Sequence, residues 1–213
     1  LDARGRRGII PTSVGTGSGF PSGHGTMWGH FGRLRESPTL RFVWIGSLMY
    51  TVVSLQGSLE ALRSVNVVTH FTHYTVAHAH LGMYGFLSFI LFGATYFIMP
   101  RLTGREWPWR RLITLHFWLV TIGIAIYVVS LTVGGWFQGL ALLDGSVPFI
   151  DTVRLTLPYL TARSIGGTLM TLGHFVFAFH FAAMLIGRGG ERTTPTLFRS
   201  RVAPNQPAQE VGS

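Results

Sequence analysis

Four stretches of the chain, 40–57, 73–99, 112–139 and 160–187, are strongly apolar, and polar residues gather between and beyond them. Each is close to or above the roughly 17 to 25 residues that a membrane-spanning helix requires. The second and third contain no Asp, Glu, Lys or Arg at all. Arg41 and Arg163 lie at window ends, away from the bilayer centre, where an arginine costs about 2.5 to 3.5 kcal/mol. The pattern predicts four transmembrane helices joined by short polar connections.

The segments outside these windows differ in kind. Residues 1–38 contain nine glycines with scattered Ser, Pro and Arg and no sustained periodicity, and read as disordered. The chain opens on Leu1 and its first methionine is Met27, which reads as a fragment or as a chain whose first residues are not native. Residues 39–187 form the bundle, and residues 188–213 a polar, mobile cytoplasmic tail. The linker RLTGREWPWRR, 101–111, combines Pro108 with two Trp flanked by Arg and suits an interfacial anchor. The connection 139–160 contains Pro148 and Pro158 and is expected to fold over the outer surface.

Composition agrees with the membrane reading. Hydrophobic residues make up 47% and charged residues 12%, against about a quarter charged in a soluble domain. The net charge of +9 comes from arginines clustered at the window ends, not along one stripe, so it does not point to nucleic acid. Eleven arginines (33, 35, 41, 101, 105, 110, 111, 188, 192, 199 and 201) fall on one side of the spans, and only Arg63, Arg154 and, just inside its window, Arg163 on the other. The positive-inside rule then puts both termini in the cytoplasm and the 58–72 and 140–159 connections outside. With no cysteine, any metal must be held by His, carboxylate or Met.

The stretch HFTHYTVAHAHLG, residues 70–82, holds four of the nine histidines. On a strand His78 and His80 would point the same way and chelate one metal. On a helix two residues advance about 200° and about 3 Å, so the rings leave on opposite sides and serve separate sites. Two flat cofactors, one on each side and each taking one imidazole, satisfy that geometry. The small residues Ala77, Ala79, Gly82 and Gly85 admit a planar ring close to the backbone. Intramembrane ionisable groups default to function. His116, His174 and His180 stand alone and are read as helix-contact residues, with Met83 and Met99 as packing.

The run SVNVVTHFTHYTVAHAHLGMYGF, followed by FGATYFIMPRL, LHFWLVTIGIAIYVVSLTVGGWFQG and PYLTARSIGG, resembles the C-terminal third of subunit I of cbb3-type cytochrome c oxidases. These belong to the heme-copper oxidase superfamily. The resemblance covers about residues 33–187. It implies an all-α integral membrane bundle, a four-helix fragment of the twelve-helix subunit I fold, in the bacterial inner membrane with its heme ligands toward the periplasm. His78 matches the proximal ligand of the high-spin heme, His80 an axial ligand of the low-spin heme, and His70 a histidine near a high-spin heme propionate. His73 stays unassigned: it lies about two turns from His80 on nearly the same face, which permits a low-spin heme propionate contact without assigning one.

The implied cofactors are low-spin and high-spin heme b. The implied partners are the N-terminal remainder of subunit I, c-type heme subunits, cytochrome c as electron donor, and oxygen, with proton translocation as a family property. Two departures bear on this. Where these subunits usually carry a glutamate, 22 residues before His78, this chain has Gln56. No His-His dipeptide for copper occurs, so copper is expected only with upstream residues, and the chain by itself is expected to be inactive. Nitric oxide reduction in the same superfamily, a non-catalytic di-heme cytochrome b and an inactive truncated product stay open as alternatives.

Overall fold

The structure, a computed structural model, describes Gly32, Leu34 and residues 37–191. The expectation of disorder for residues 1–38 falls almost wholly outside them, as does the tail beyond residue 191. Among the described residues every element is helical: α1 Pro38–Glu60, α2 Arg63–Thr69, α3 His73–His80, a π-helical segment Leu81–Ser88, α4 Phe89–Thr103, α5 Arg110–Leu143 and α6 Phe149–Leu185. The α3, π and α4 segments run on as one helix, so four helices are long and apolar enough to cross a membrane. The chain is an all-α membrane bundle.

Local chemistry explains the helix ends. Ser37 caps α1 by accepting from the Leu40 N–H at 3.3 Å, and Pro38 follows at the first helical position, where its missing N–H costs nothing. Thr72 caps α3, accepting from the Tyr74 N–H at 3.2 Å. Between α2 and α3 the chain reverses through Phe71, whose φ of 59° is unusual for an L-residue. Gly104, with φ 68°, closes α4.

The connection expected over 139–160 is corrected. α5 continues to Leu143 and α6 begins at Phe149, so only residues 144–148 are non-helical. Pro148 sits at the N-cap of α6, a position that needs no helical N–H, and Pro158 lies within the helix, as transmembrane helices tolerate. In the short turn Asp144 Oδ1 accepts from the Ser146 N–H at 2.9 Å and hydroxyl at 2.6 Å. These bonds hold the Asp144 carboxyl below its ordinary value.

The helices approach through glycines. A Cβ on Gly123 would lie 2.8 Å from the Gly166 carbonyl oxygen, and one on Gly166 would lie 2.6 Å from that of Gly123, so α5 and α6 cross backbone to backbone. Gly134 likewise admits the Tyr159 side chain. The main hydrophobic core gathers Phe42, Phe89, Tyr96, Trp107, Ile113, Phe117, Val120, Ile124, Met170 and Met184. It belongs to the arginine-rich end and middle of the bundle. Toward the other end the buried side chains turn smaller and more polar: Gln56, Thr69, Thr72, Ala77, Ser130, Thr152 and Thr156.

Candidate heme-ligand helix

α3 is gripped by the end of α5 through the GWFQG stretch. A Cβ on Gly135 would run into the Tyr74 nitrogen, and one on Gly139 into the Val68 carbonyl oxygen, so neither position has room for a side chain. Between them, Gln138 Oε1 accepts from the His73 N–H at 2.9 Å and lies 2.6 Å from the His73 Nδ1. The amide therefore takes one of the unsatisfied N–H groups of the α3 start. His73, which the sequence leaves unassigned, here engages Gln138.

From that anchored start, α3 sends its next two histidines to different neighbours. His78 faces α1, where a Cβ on Gly57 would come within 2.9 Å of its Cε1. His80 faces α5, with its ring centroid 4.8 Å from that of Tyr127. The opposed directions are those that an H-x-H pair on a helix requires. His70 lies at the C-cap of α2, exposed, with its ring against Phe71 at 4.0 Å. It sits at the same end of the bundle but is not brought together with the other two.

The hydrogen bonds of His80 fix its tautomer. Nδ1 is 2.8 Å from the Val76 carbonyl oxygen, which can only accept, so Nδ1 carries the proton. Nε2 then holds the lone pair and accepts from the Tyr127 hydroxyl at 3.2 Å. A neutral imidazole with its Nδ1–H tied to a carbonyl and Nε2 free to donate electrons is the form that binds iron. His78 Nδ1 is buried with no hydrogen-bond partner. Each residue could offer a metal ion one imidazole nitrogen. No group of three or more His, Asp or Glu able to hold a metal ion occurs among the described residues.

The solitary histidines make contacts between elements. The Tyr96 hydroxyl is 3.0 Å from His116 Nδ1, linking α4 to α5, and the Tyr84 hydroxyl is 3.1 Å from His174 Nε2, linking the π segment to α6. His180 Nε2 accepts from the Trp109 N–H at 3.3 Å. His116 and His180 are fully buried among aromatic rings, including Tyr96 and Trp107.

Sequence comparison decides the family. The cytochrome c and quinol oxidase polypeptide I model matches residues 9–169. The chain belongs to that family. It is 33% identical to a cbb3-type cytochrome c oxidase subunit, CcoN1, of Stutzerimonas stutzeri over 169 residues, which is 76% of this chain and 36% of that protein. To cytochrome c oxidase subunit 1 of Rhodobacter capsulatus it is also 33% identical, over 78% of this chain and 32% of the relative. A nitric oxide reductase chain of Stutzerimonas stutzeri is 29% identical over 59% of this chain and 28% of its own length. A solved heme-copper terminal oxidase shares the fold, with a TM-score of 0.58 and 22% identity over 75% of this chain and 28% of that one. The chain thus spans about a third of the length of the relatives it matches.

Several residues that shape this helix carry no mark as site candidates in the sequence. Gln138, Gly135 and Gly139 are visible as the G-x-x-Q-G element, but its function as a clamp on α3 emerges only in three dimensions. Tyr127 lies in an uncharged apolar window and carries no sequence signal. Gly57 is seen only as the residue after Gln56.

Proposed function

We propose that this chain supplies one axial imidazole to each of two hemes in a cbb3-type terminal oxidase, His78 to the high-spin heme and His80 to the low-spin heme. One observation carries the reading: two histidines leave opposite sides of a single clamped helix, one with its Nε2 lone pair defined and one with a buried unpaired nitrogen. Similarity to cbb3-type oxidases supports the branch. When bound, the hemes would supply electron transfer and the reduction of oxygen to water. The chain's own part is to hold both imidazoles on one rigid element. The Val76 carbonyl keeps His80 in the Nδ1–H tautomer, the GWFQG clamp fixes the helix start, and the apolar spans exclude water.

In the complete enzyme, copper, the second low-spin axial ligand and the electron-donating c-type subunits would come from outside this chain. His70, at the outer end, is assigned to the neighbourhood of a heme propionate. The arginine distribution supports a topology with both termini in the cytoplasm and the start of the ligand helix toward the periplasm of an inner membrane. Nitric oxide reduction is the second reading, favoured by the similarity to a nitric oxide reductase.

The test is to assemble the chain with the rest of its complex and record heme spectra of His78→Ala and His80→Ala. Loss of the high-spin signal in the first and of the low-spin signal in the second is expected. Retention of both hemes in both variants would remove the assignment. Comparing oxygen with nitric oxide consumption by the assembled complex separates the two reactions.

A further inference from the structure

Five buried side-chain atoms among the described residues have no hydrogen-bond partner, and three lie on the turns where α1 meets the His78 ring through Gly57: Gln56 Oε1, Glu60 Oε1 and His78 Nδ1. Unpaired buried polar atoms are rare, and three on neighbouring turns of two helices call for a physical account. Gln56 and Glu60 stand one turn apart on α1, so their side chains are neighbours. They flank Gly57, the residue against which the His78 ring packs. Glu60 is close enough to His78 for the two to interact electrostatically.

The placement of Glu60 runs against its helix. It is the last residue of α1, at the negative end of the helix dipole, where cations are favoured over carboxylates. Its backbone carbonyl accepts from Asn66 Nδ2 at 3.2 Å, so α2 holds this turn in place while one carboxyl oxygen stays buried. A local rule broken with no hydrogen bond to the buried oxygen marks a group that calls for a partner.

We propose that Gln56 and Glu60 form a relay behind His78, in which His78 Nδ1–H donates to Gln56 Oε1 and Gln56 Nε2–H donates to Glu60 Oε1. Two bonds satisfy all three orphaned atoms, because the glutamine amide accepts on one side and donates on the other. The inference rests on the reading of His78 as an iron ligand, whose second nitrogen then needs an acceptor. Glu60 is a positioning residue: it polarises the Gln56 amide, which makes the imidazole a better electron donor and fixes its orientation. The carboxylate thus acts one residue removed from the ring.

The test uses the heme-loaded complex and reads the iron–histidine stretching frequency of the reduced high-spin heme by resonance Raman, together with the rate of heme loss. Glu60→Gln should lower the frequency and speed loss of the high-spin heme about tenfold or more. Gln56→Leu should do the same, and adding Glu60→Gln to Gln56→Leu should change nothing further, since the relay is already cut. A wild-type frequency in Glu60→Gln, or an undiminished effect of that change in the Gln56→Leu background, overturns the relay. Loss of the low-spin signal along with the high-spin one also overturns it, because Glu60 would then support the helix and not His78. His78→Ala tests the underlying reading separately: if the high-spin heme stays, the ligand assignment fails, whereas an unmoved Glu60→Gln beside a heme-less His78→Ala removes the relay alone.

Discussion

Gln138 Oε1 takes the backbone N–H of His73 at 2.9 Å and faces its ring nitrogen at 2.6 Å, joining the end of one transmembrane helix to the start of the helix that carries His78 and His80. The bond spans 65 residues of sequence. Its consequence is that the angular setting of His78 and His80 depends on a residue in another span.

Gln138→Ala should therefore loosen both ligands together. Leaving the His73 N–H without its acceptor costs about 1–3 kcal/mol. Thermal unfolding in detergent should register that loss, and both heme signals should weaken in parallel. Gln138→Glu keeps the acceptor and should lose less. An unchanged melting temperature in Gln138→Ala would remove the clamp from the account.

Gly135→Ala and Gly139→Ala should be severe, since the added methyl would meet backbone atoms that cannot rotate away. The expected outcome is failure to assemble with heme, seen as apoprotein or degradation in membranes. Gly145→Ala is the control, because nothing lies within 4 Å of a Cβ there.

Tyr127 donates to the same His80 nitrogen that iron would take. Tyr127→Phe removes a competitor worth about 1 kcal/mol. Binding of low-spin heme should be retained and should tighten by up to about fivefold, read by heme titration of the apo-complex. Weakened binding would mean that Tyr127 supports the loaded state instead.

Gln56→Glu places a carboxylate directly at His78. It should make the imidazole a stronger donor and move the high-spin heme potential downward in a redox titration. An unmoved potential would detach Gln56 from tuning.

The Asp144 turn gives a pH signature. Its carboxyl is held below the ordinary value by two bonds from Ser146. A depressed folded value means that the stabilisation is present above the unfolded carboxylate value and is lost as pH falls through the folded one. Protease cutting at residues 144–148 should rise on acidification in the wild type, and Asp144→Asn should show a flatter pH response.

Much of this is legible in the chain. Spans betray themselves by length and the absence of charge, and the opposed directions of His78 and His80 follow from helical pitch alone. The α5–α6 connection escapes local reading because Pro148 and Pro158 carry the same signal. Their effects diverge only once the first sits at a helix start and the second inside a helix whose neighbours compensate it. Tyr127 is invisible for a different reason: an aromatic residue in an apolar window looks like packing until a distant histidine is placed beside its hydroxyl. The partnership of Gln138 with His73 likewise depends on which helices lie side by side, which local pattern does not encode.

The π-helical run Leu81–Ser88 begins at the residue after His80, and the Ser88 hydroxyl reaches back five residues to the Met83 carbonyl at 3.1 Å. A π turn takes up more residues than an α turn, so the helix beyond it is out of phase with the half that bears His78 and His80. Removing one residue from 81–88 would rotate the two halves by about 100° relative to each other. His78 and His80 would then keep their mutual opposition while pointing at new neighbours if Phe89 and Tyr96 held their places in the core. Along this span, insertion and deletion are a dial on ligand direction, and the wide turn is where the dial is set.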